Sequence, residues 1–448
     1  MGHVCVTTPP LFQSKLLCLS LLFFLTTLPI ALYVSFTHST CLFRSPPPFP
    51  SSVGFSYPLS YSEHKYALPT AHSDCTSSVP FSDYGKVLHE IRNLCWNSTS
   101  SPVLRYVEGK GDSFSGNFSA RKRKSFFHHN HVDRVAIPCG FLQAFPIKES
   151  DRLAMQKCDG VVVVSAIIGD HDKLRQPRGL GSHTIDFVCF FMFIDDATHK
   201  VLVAHNILSA NEEEVNMVGA WRIVRLRGDQ LPYDNPAMNG VIPKYLVQRL
   251  FPNSKFSVWL DAKLQLTVDP LLLIHSLLVI PDADMAISNH PFNIHTMEEA
   301  IATARWKKWA DLESLRVQME TYCENGLQPW STSKLPYTTD VPDTALILRR
   351  HGLKGNLFSC LLFNELAAFN SRDQLAFAYV RDLMVPKIKI NMFEFEVFEQ
   401  VAMEYRHNLK REAREQPIKM ASSRDINGSS CEDYLLKMSR IKVASSSR

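Results

Sequence analysis

The pattern of apolar and polar positions divides the chain into stretches of different character. Leu16 to Phe36 are 21 positions without a charge, mostly Leu, Phe and Ile. At 1.5 Å rise per residue such a helix spans a hydrocarbon core of about 30 Å. The apolar part of a cleaved signal peptide is shorter, about 7–15 residues. Lys15 flanks the run on one side, and no base follows on the other side until Arg44. That bias favours a cytosolic N-terminus. We therefore expect residues 1–15 in the cytosol and a signal anchor at 16–36, within which membranes tolerate Pro29.

From 37 to 136 the composition shifts to Pro and Ser, as in Pro46-Pro47-Pro48 and Ser98 to Ser101, with one short amphipathic piece at Tyr84–Cys95. This reads as a stem holding a domain away from the bilayer. Regular patterning begins at Ile137. Val161 to Ile168 is a continuous apolar run bounded by Gly169 and Asp170, the signature of a strand buried on both faces of a parallel sheet. Phe187–Ile194, Trp221–Leu226, Phe256–Leu260 and Met285–Ser288 repeat the theme. Helical spacing is expected at Pro243–Leu250, with Pro in the first turn, at Thr296–Cys323, at Leu357–Phe369 and from Ser371 to Leu383. Alternation of this kind predicts one α/β domain, GT-A-like (Rossmann-like), over 137–410. The polar stretch 411–448 reads as a tail, loose from Ser422 on.

Composition changes this picture little. With 45% apolar and 21% charged residues a core can be built, and a net charge of +4 spread along the chain does not argue for nucleic acid. The basic run Arg121 to Lys124 would be a nuclear signal only in a cytosolic protein. Of eleven cysteines, nine lie beyond the apolar run, without CxxC or zinc spacing. An oxidising lumen would pair some of them. Cys139 with Cys158 closes a short loop, while Cys189 and Cys360 are expected as buried thiols. Sequons at Asn97, Asn117 and Asn427 avoid the apolar-rich region, as in a luminal protein.

Open parallel sheets bind ligands beyond the carboxyl ends of their strands. Acids collect there: Asp170 and Asp172, then Asp195 and Asp196, then Asp261. Helix caps and turns would explain several of these equally well. Nucleotide-sugar transferases use Asp-x-Asp at such a strand end to hold a divalent ion against the diphosphate. Here Asp261-Ala262-Lys263 stands instead. Either Asp195 and Asp196 complete a site for Mn²⁺ or another divalent cation with Asp261, or Lys263 supplies part of that charge. Ser371 is the expected N-cap of a helix that presents Arg372, Asp373 and Gln374. A carboxylate there would position an acceptor hydroxyl. His290 follows a strand and is a candidate base, although a lone His there is more often a satisfied polar group. His407 is a weaker candidate. Nucleophile elbow, Walker, zincin and Gly-x-Gly-x-x-Gly motifs are absent from the sequence.

Several blocks are similar to one plant family. They are Cys139-Gly140-Phe141, Val163 to Ile167, Cys189 to Asp195, Trp221 to Val224, Trp259 to Lys263 and Ser371 to Leu375. That family contains the turgor-regulation-defect protein and mucilage-related putative hexosyltransferases, and its shared domain is described as glycosyltransferase-like. The resemblance covers roughly Ile137 to His407. It implies a hexosyl transfer from a nucleotide sugar to a glycan acceptor in the Golgi or endoplasmic reticulum lumen. The catalytic candidates are Asp261, Lys263, Asp373 and His290. Donor or cofactor contacts fall to Asp170, Asp195, Asp196, Arg372 and Gln374, and metal ligation to Asp261 and Asp195. The short stem resembles the member called an alkaline ceramidase, which implies ceramide hydrolysis as the alternative. A luminal scaffold without chemistry is the third reading.

Overall fold

The computed structural model describes residues 15–38, 55–61, 81–96, 104–129, 136–209, 217–306, 308–309, 311–405, 407 and 430–439. Asn97, Asn427, Cys41, Cys75, much of the expected stem and residues 408–429 lie outside them. The uncharged run lies on a helix, Lys15–His38. Among the described residues no helix is long and apolar enough to cross a membrane, and this one has side chains described only within 17–29. The anchor therefore rests on the sequence.

Strands β1 (Arg105–Tyr106) and β2 (Ala136–Ile137) form a small parallel pair. Then follow β3 (Val161–Ile167), β4 (Val188–Ile194), β5 (Met217–Val218), β6 (Trp221–Arg225), β7 (Phe256–Leu260), β8 (Leu264–Leu266), β9 (Met285–Asn289), β10 (Pro342–Arg350), β11 (Ile390–Phe393) and β12 (Ala402–Glu404). Eight of them make the main sheet in the order β11-β9-β10-β7-β3-β4-β6-β5, and β8 pairs with β12. β3 is parallel to β4 and β7, and β4 to β6. β10 runs antiparallel to both β7 and β9, which therefore point the same way. The sheet is mostly parallel.

Its two faces explain the unbroken apolar runs. Val162 and Val164 enter one core with Tyr245, Leu361 and Leu375, while Val161 and Val163 enter the other with Ile91, Leu272 and Phe398. Helices cover both faces, so every position of β3 except the partly exposed Ala166 is buried. At the carboxyl edge of β3, β4, β7 and β9, the chain leaves the sheet through Asp170, Asp195, Asp261 and His290. The first residues of β10 enter the sheet at that same edge.

Several local expectations are corrected. The helix expected at Pro243 begins at Pro236, capped by Asn235, and runs to Tyr245 with Pro243 inside it. Thr296–Cys323 breaks into Thr296–Arg305 and Leu312–Glu324, the second capped by Asp311. The helix at Asp373–Leu383 takes Arg372, not Ser371, as its N-cap residue. Segments before Ile137 are part of the packed body. The helix Tyr84–Trp96 buries Val87, Leu88 and Ile91. Arg123, from the basic run, is buried against Glu365 at 2.8 Å. The helix Cys431–Ser439 falls in the stretch expected to be loose.

Cysteine pairing also differs. Cys139 bonds Cys360, Cys158 bonds Cys189 and Cys323 bonds Cys431. The Cys139–Cys158 pair is not formed, and Cys189 and Cys360 are not free. The strand partners decide this: β3 and β4 run side by side, so Cys158 ahead of β3 faces Cys189 in β4 with Cα atoms 6.3 Å apart. Among the described residues Cys95 is a free, buried thiol.

Candidate active site

The site is built where β7 ends, β10 begins, and two helices present their ends to that edge. Asp261 leaves β7 with its backbone N–H held by the Ala345 carbonyl of β10 at 2.8 Å. Its Oδ1 accepts from the indole Nε1 of Trp259, at 2.6 Å, and from Lys244 Nζ, at 3.5 Å. Lys244, 8% exposed, sits in the last turn of the helix Pro236–Tyr245. The same ammonium lies 2.7 Å from Asp373 Oδ2 and donates to Thr344 Oγ1 at 3.2 Å. Asp373, in the first turn of its helix, also accepts from Tyr245 Oη and Thr344 Oγ1, both at 2.9 Å. One ammonium thus joins Asp261 and Asp373.

Electrostatics follow from that arrangement. Burial alone would push the Asp373 carboxyl up, but the Lys244 ammonium and the hydrogen bonds outweigh it and hold it below the usual range. Burial works against the Lys244 charge too, and Asp261 and Asp373 overcome it. The ion pair is charged on both sides. Beneath it, the guanidinium of Arg349 is buried, with no hydrogen-bond partner on any of its three nitrogens.

Lys263 lies at the rim. It pairs with Glu404 of β12 at 2.8 Å and keeps 22% of its side chain exposed. Burial lowers its pKa, but Asp343, Glu404 and Asp261 raise it further. Asp343 is pushed up by burial, against the pull of Lys263. At the same rim, His407 Nδ1 lies 3.0 Å from Asp172, which raises its pKa; the fields of Lys263 and Asp261 also act on the ring.

His290, Arg372 and Gln374 gather in a neighbouring cluster around the fully buried Glu299. Arg372 donates to Glu299 and to Gln374 at 2.6 Å. His290 Nε2 is 3.9 Å from Glu299, and its Nδ1 accepts from the Phe292 and Asn293 backbones. Burial lowers the His290 pKa, with Glu299 opposing. A ring whose Nδ1 serves a turn is poorly placed to act as a base.

The third group of expected residues does not join either cluster. Asp195 caps the helix Asp196–Ala204, accepting from Thr198 N and from Gly169 N. Asp196 holds Arg225 and the Gly228 backbone. Asp170 adopts a left-handed backbone, φ +53, and donates its N–H to Thr198. Asp195 ends β4, two strands from β7, so the expected pairing of Asp261 with Asp195 on a metal does not form. Among the described residues no three His, Cys, Asp or Glu gather as metal ligands.

The residue set fits a divalent ion poorly. Both Asp373 oxygens and Asp261 Oδ1 already accept protein hydrogen bonds, and the second acid of an Asp-x-Asp pair is Lys263. Lys244, Tyr245, Thr344 and Arg349 escaped sequence reasoning. The available signal was a lysine within the apolar stretch Val241-Ile242-Pro243-Lys244-Tyr245, where a solvated charge has no place.

Residues 101–407 match the family described as TOD1/MUCI70, glycosyltransferase-like domain. The chain is similar to "Alkaline ceramidase TOD1" of Arabidopsis thaliana, 58% identical over 98% of this chain and 100% of that protein. It is also similar to "Probable hexosyltransferase MUCI70" of Arabidopsis thaliana, 34% identical over 80% of this chain and 64% of that protein. A mouse xyloside xylosyltransferase 1 structure overlaps 52% of the chain and 84% of that chain at 8% identity, with a TM-score of 0.28, which carries no argument.

Proposed function

Because the chain belongs to the TOD1/MUCI70 family and carries its glycosyltransferase-like domain, we propose that it transfers a hexosyl group from a nucleotide sugar to an acceptor hydroxyl. The observation that carries this reading is the pair Asp261 and Lys263 at the carboxyl end of β7. There an acid with one oxygen free of protein hydrogen bonds stands beside a partly exposed ammonium. In the reaction the acceptor oxygen attacks the anomeric carbon and the bond from that carbon to the diphosphate breaks. The acceptor proton passes to Asp261 Oδ2, the oxygen of the pair of acids that accepts no protein hydrogen bond. Lys263 meets the charge that develops on the leaving diphosphate. Asp373 holds the frame through Lys244.

The same reading places the domain in the lumen of the Golgi or endoplasmic reticulum, tethered by 16–36. Support comes from the uncharged run and from three disulfides, which form in oxidising compartments. Protease protection of the domain in sealed vesicles tests it; digestion without detergent would refute it.

A second reading, hydrolysis of ceramide to sphingosine and fatty acid, is favoured by one observation. The 58%-identical relative is named an alkaline ceramidase. Incubating the purified chain with a panel of nucleotide sugars and acceptors, and separately with ceramides, separates the two by mass. A glycosylated product supports transfer. Fatty acid released from ceramide, with no nucleotide bound, would sink it.

A further inference from the structure

We propose that Lys244 is the resident cation of this site, standing where a divalent ion would have to bridge Asp261 and Asp373, so that the diphosphate is bound without metal. This rests on the transferase reading for its ligand, but its geometry stands alone.

The first support is occupancy. Lys244 Nζ reaches Asp373 Oδ2 at 2.7 Å, Thr344 Oγ1 at 3.2 Å and Asp261 Oδ1 at 3.5 Å, so its three donors have three acceptors. Thr344 takes Asp373 Oδ1, and Tyr245 shares Oδ2 with the ammonium. Trp259 shares Asp261 Oδ1. A hard divalent cation wants about six oxygen ligands. Of the four oxygens on Asp261 and Asp373, only Asp261 Oδ2 is left to give.

The second support is charge. Two cations, Lys244 and Lys263, already stand at this edge, and a third, Arg349, is buried behind the Tyr245 ring, opposite Ser257 toward the other end of β7. Arg349 is 2% exposed and its nitrogens have no hydrogen-bond partners. Lys244 faces Asp261 and Asp373, and Lys263 faces Asp343, Glu404 and Asp261. A dication bridging Asp261 and Asp373 would have to enter beside the Lys244 ammonium that already joins them, whereas the cation open to a diphosphate at the rim is Lys263. Lys244 is held by the fold itself: it sits in the last turn of a helix whose Val241, Ile242 and Tyr245 are in the core. A fixed charge of this kind needs no reorganisation when negative charge develops.

The test uses the full-length chain in detergent with two probes, Mn²⁺ alone and uridine or guanosine diphosphate. By calorimetry, nucleotide affinity in excess chelator should lie within about threefold of that in Mn²⁺. By the electron spin resonance signal of free Mn²⁺, wild type should show no site that D261N removes. K244M should gain Mn²⁺ binding that D261N or D373N abolishes, and its nucleotide binding should become dependent on Mn²⁺. Loss of nucleotide binding in chelator by more than about tenfold, restored by Mn²⁺, would overturn the proposal. An Asp261-dependent Mn²⁺ site in wild type would do the same. If neither nucleotide binds under any condition, the transferase reading fails, and the Mn²⁺ titrations of wild type and D261N still decide the place of Lys244. If K244M does not fold, the wild-type measurements suffice.

Discussion

Lys244 Nζ and Asp373 Oδ2 lie 2.7 Å apart, with 9% of each side chain exposed. Removing one partner of such a pair strands the other charge, at a cost of about 3–5 kcal/mol. D373N and K244M should each lower unfolding free energy by that order. The double variant K244M/D373N should lose clearly less than the two single losses combined, because no uncompensated charge remains between them. Denaturant unfolding of the four proteins checks this; strict additivity would mean that the two groups do not act as a pair.

Lys263 behaves differently, because its partner Glu404 is 29% exposed and the pair lies at the rim. Partly exposed ion pairs contribute only about 0–1 kcal/mol. K263A should therefore keep its melting temperature within a few degrees. If Lys263 meets the leaving diphosphate, sugar transfer should fall by roughly 10²–10³. A steady-state assay beside a thermal melt separates the two effects. Retained transfer in a folded K263A would remove Lys263 from the mechanism.

The contrast between these two lysines also shows what was legible beforehand. Asp261 follows an apolar strand directly and Lys263 stands two residues further on, so their place at a sheet edge could be read from neighbours in sequence. β3 was legible for the same reason, since both faces of Val161–Ile167 are buried and the run is unbroken. Lys244 was not, because its partners Asp261 and Thr344 lie 17 and 100 residues away. β10 was missed as well. It opens with Pro342, Asp343 and Thr344, the last two of them polar residues of the site, and closes with Arg349, buried behind Tyr245, and Arg350, which pairs with Asp282. The acids at Asp195 and Asp196 carried a strand-end signal that a capping role explains equally. Only the contacts to Gly169, Thr198 and Arg225 separate the two.

His351 should add to the acid sensitivity of the fold. Burial, aided by the Arg349 charge, lowers its pKa to about 3, well below the ordinary imidazole value of about 6.5. A group depressed in the folded state contributes stability that is fully present above about 6.5. That stability is lost as pH falls toward 3, because the unfolded chain takes up the proton first. Each unit of depression is worth about 1.4 kcal/mol. H351Q keeps a group able to reach Ser257 Oγ, which the ring contacts at 2.9 Å. Wild type should therefore lose more stability than H351Q between pH 6.5 and 4, measured by urea unfolding. Parallel curves for the two proteins would show that His351 is not buried as a neutral ring.

Among the described residues the longest covalent link is Cys139–Cys360, 221 residues apart in sequence. It ties the segment leading into β3 to the helix Leu353–Ala368, and the two stay adjacent through Asn364, which donates to the Pro138 carbonyl at 2.8 Å. Closing a loop of that length in the unfolded chain is worth on the order of 5 kcal/mol in the chain-entropy model. The contact itself is formed between buried residues, so its loss should act on stability rather than on the architecture of the site. C139S/C360S should then bind nucleotide as wild type does at low temperature but melt many degrees lower. Folding with reductant present should reproduce the deficit in wild type and leave the double variant less affected. The measurement is a thermal melt of both proteins with and without reductant, beside mass mapping of the Cys139–Cys360 peptide from wild type. Identical melting of oxidised wild type and double variant would show that this link does not stabilise the fold. Absence of the linked peptide would remove the main support for an oxidising compartment.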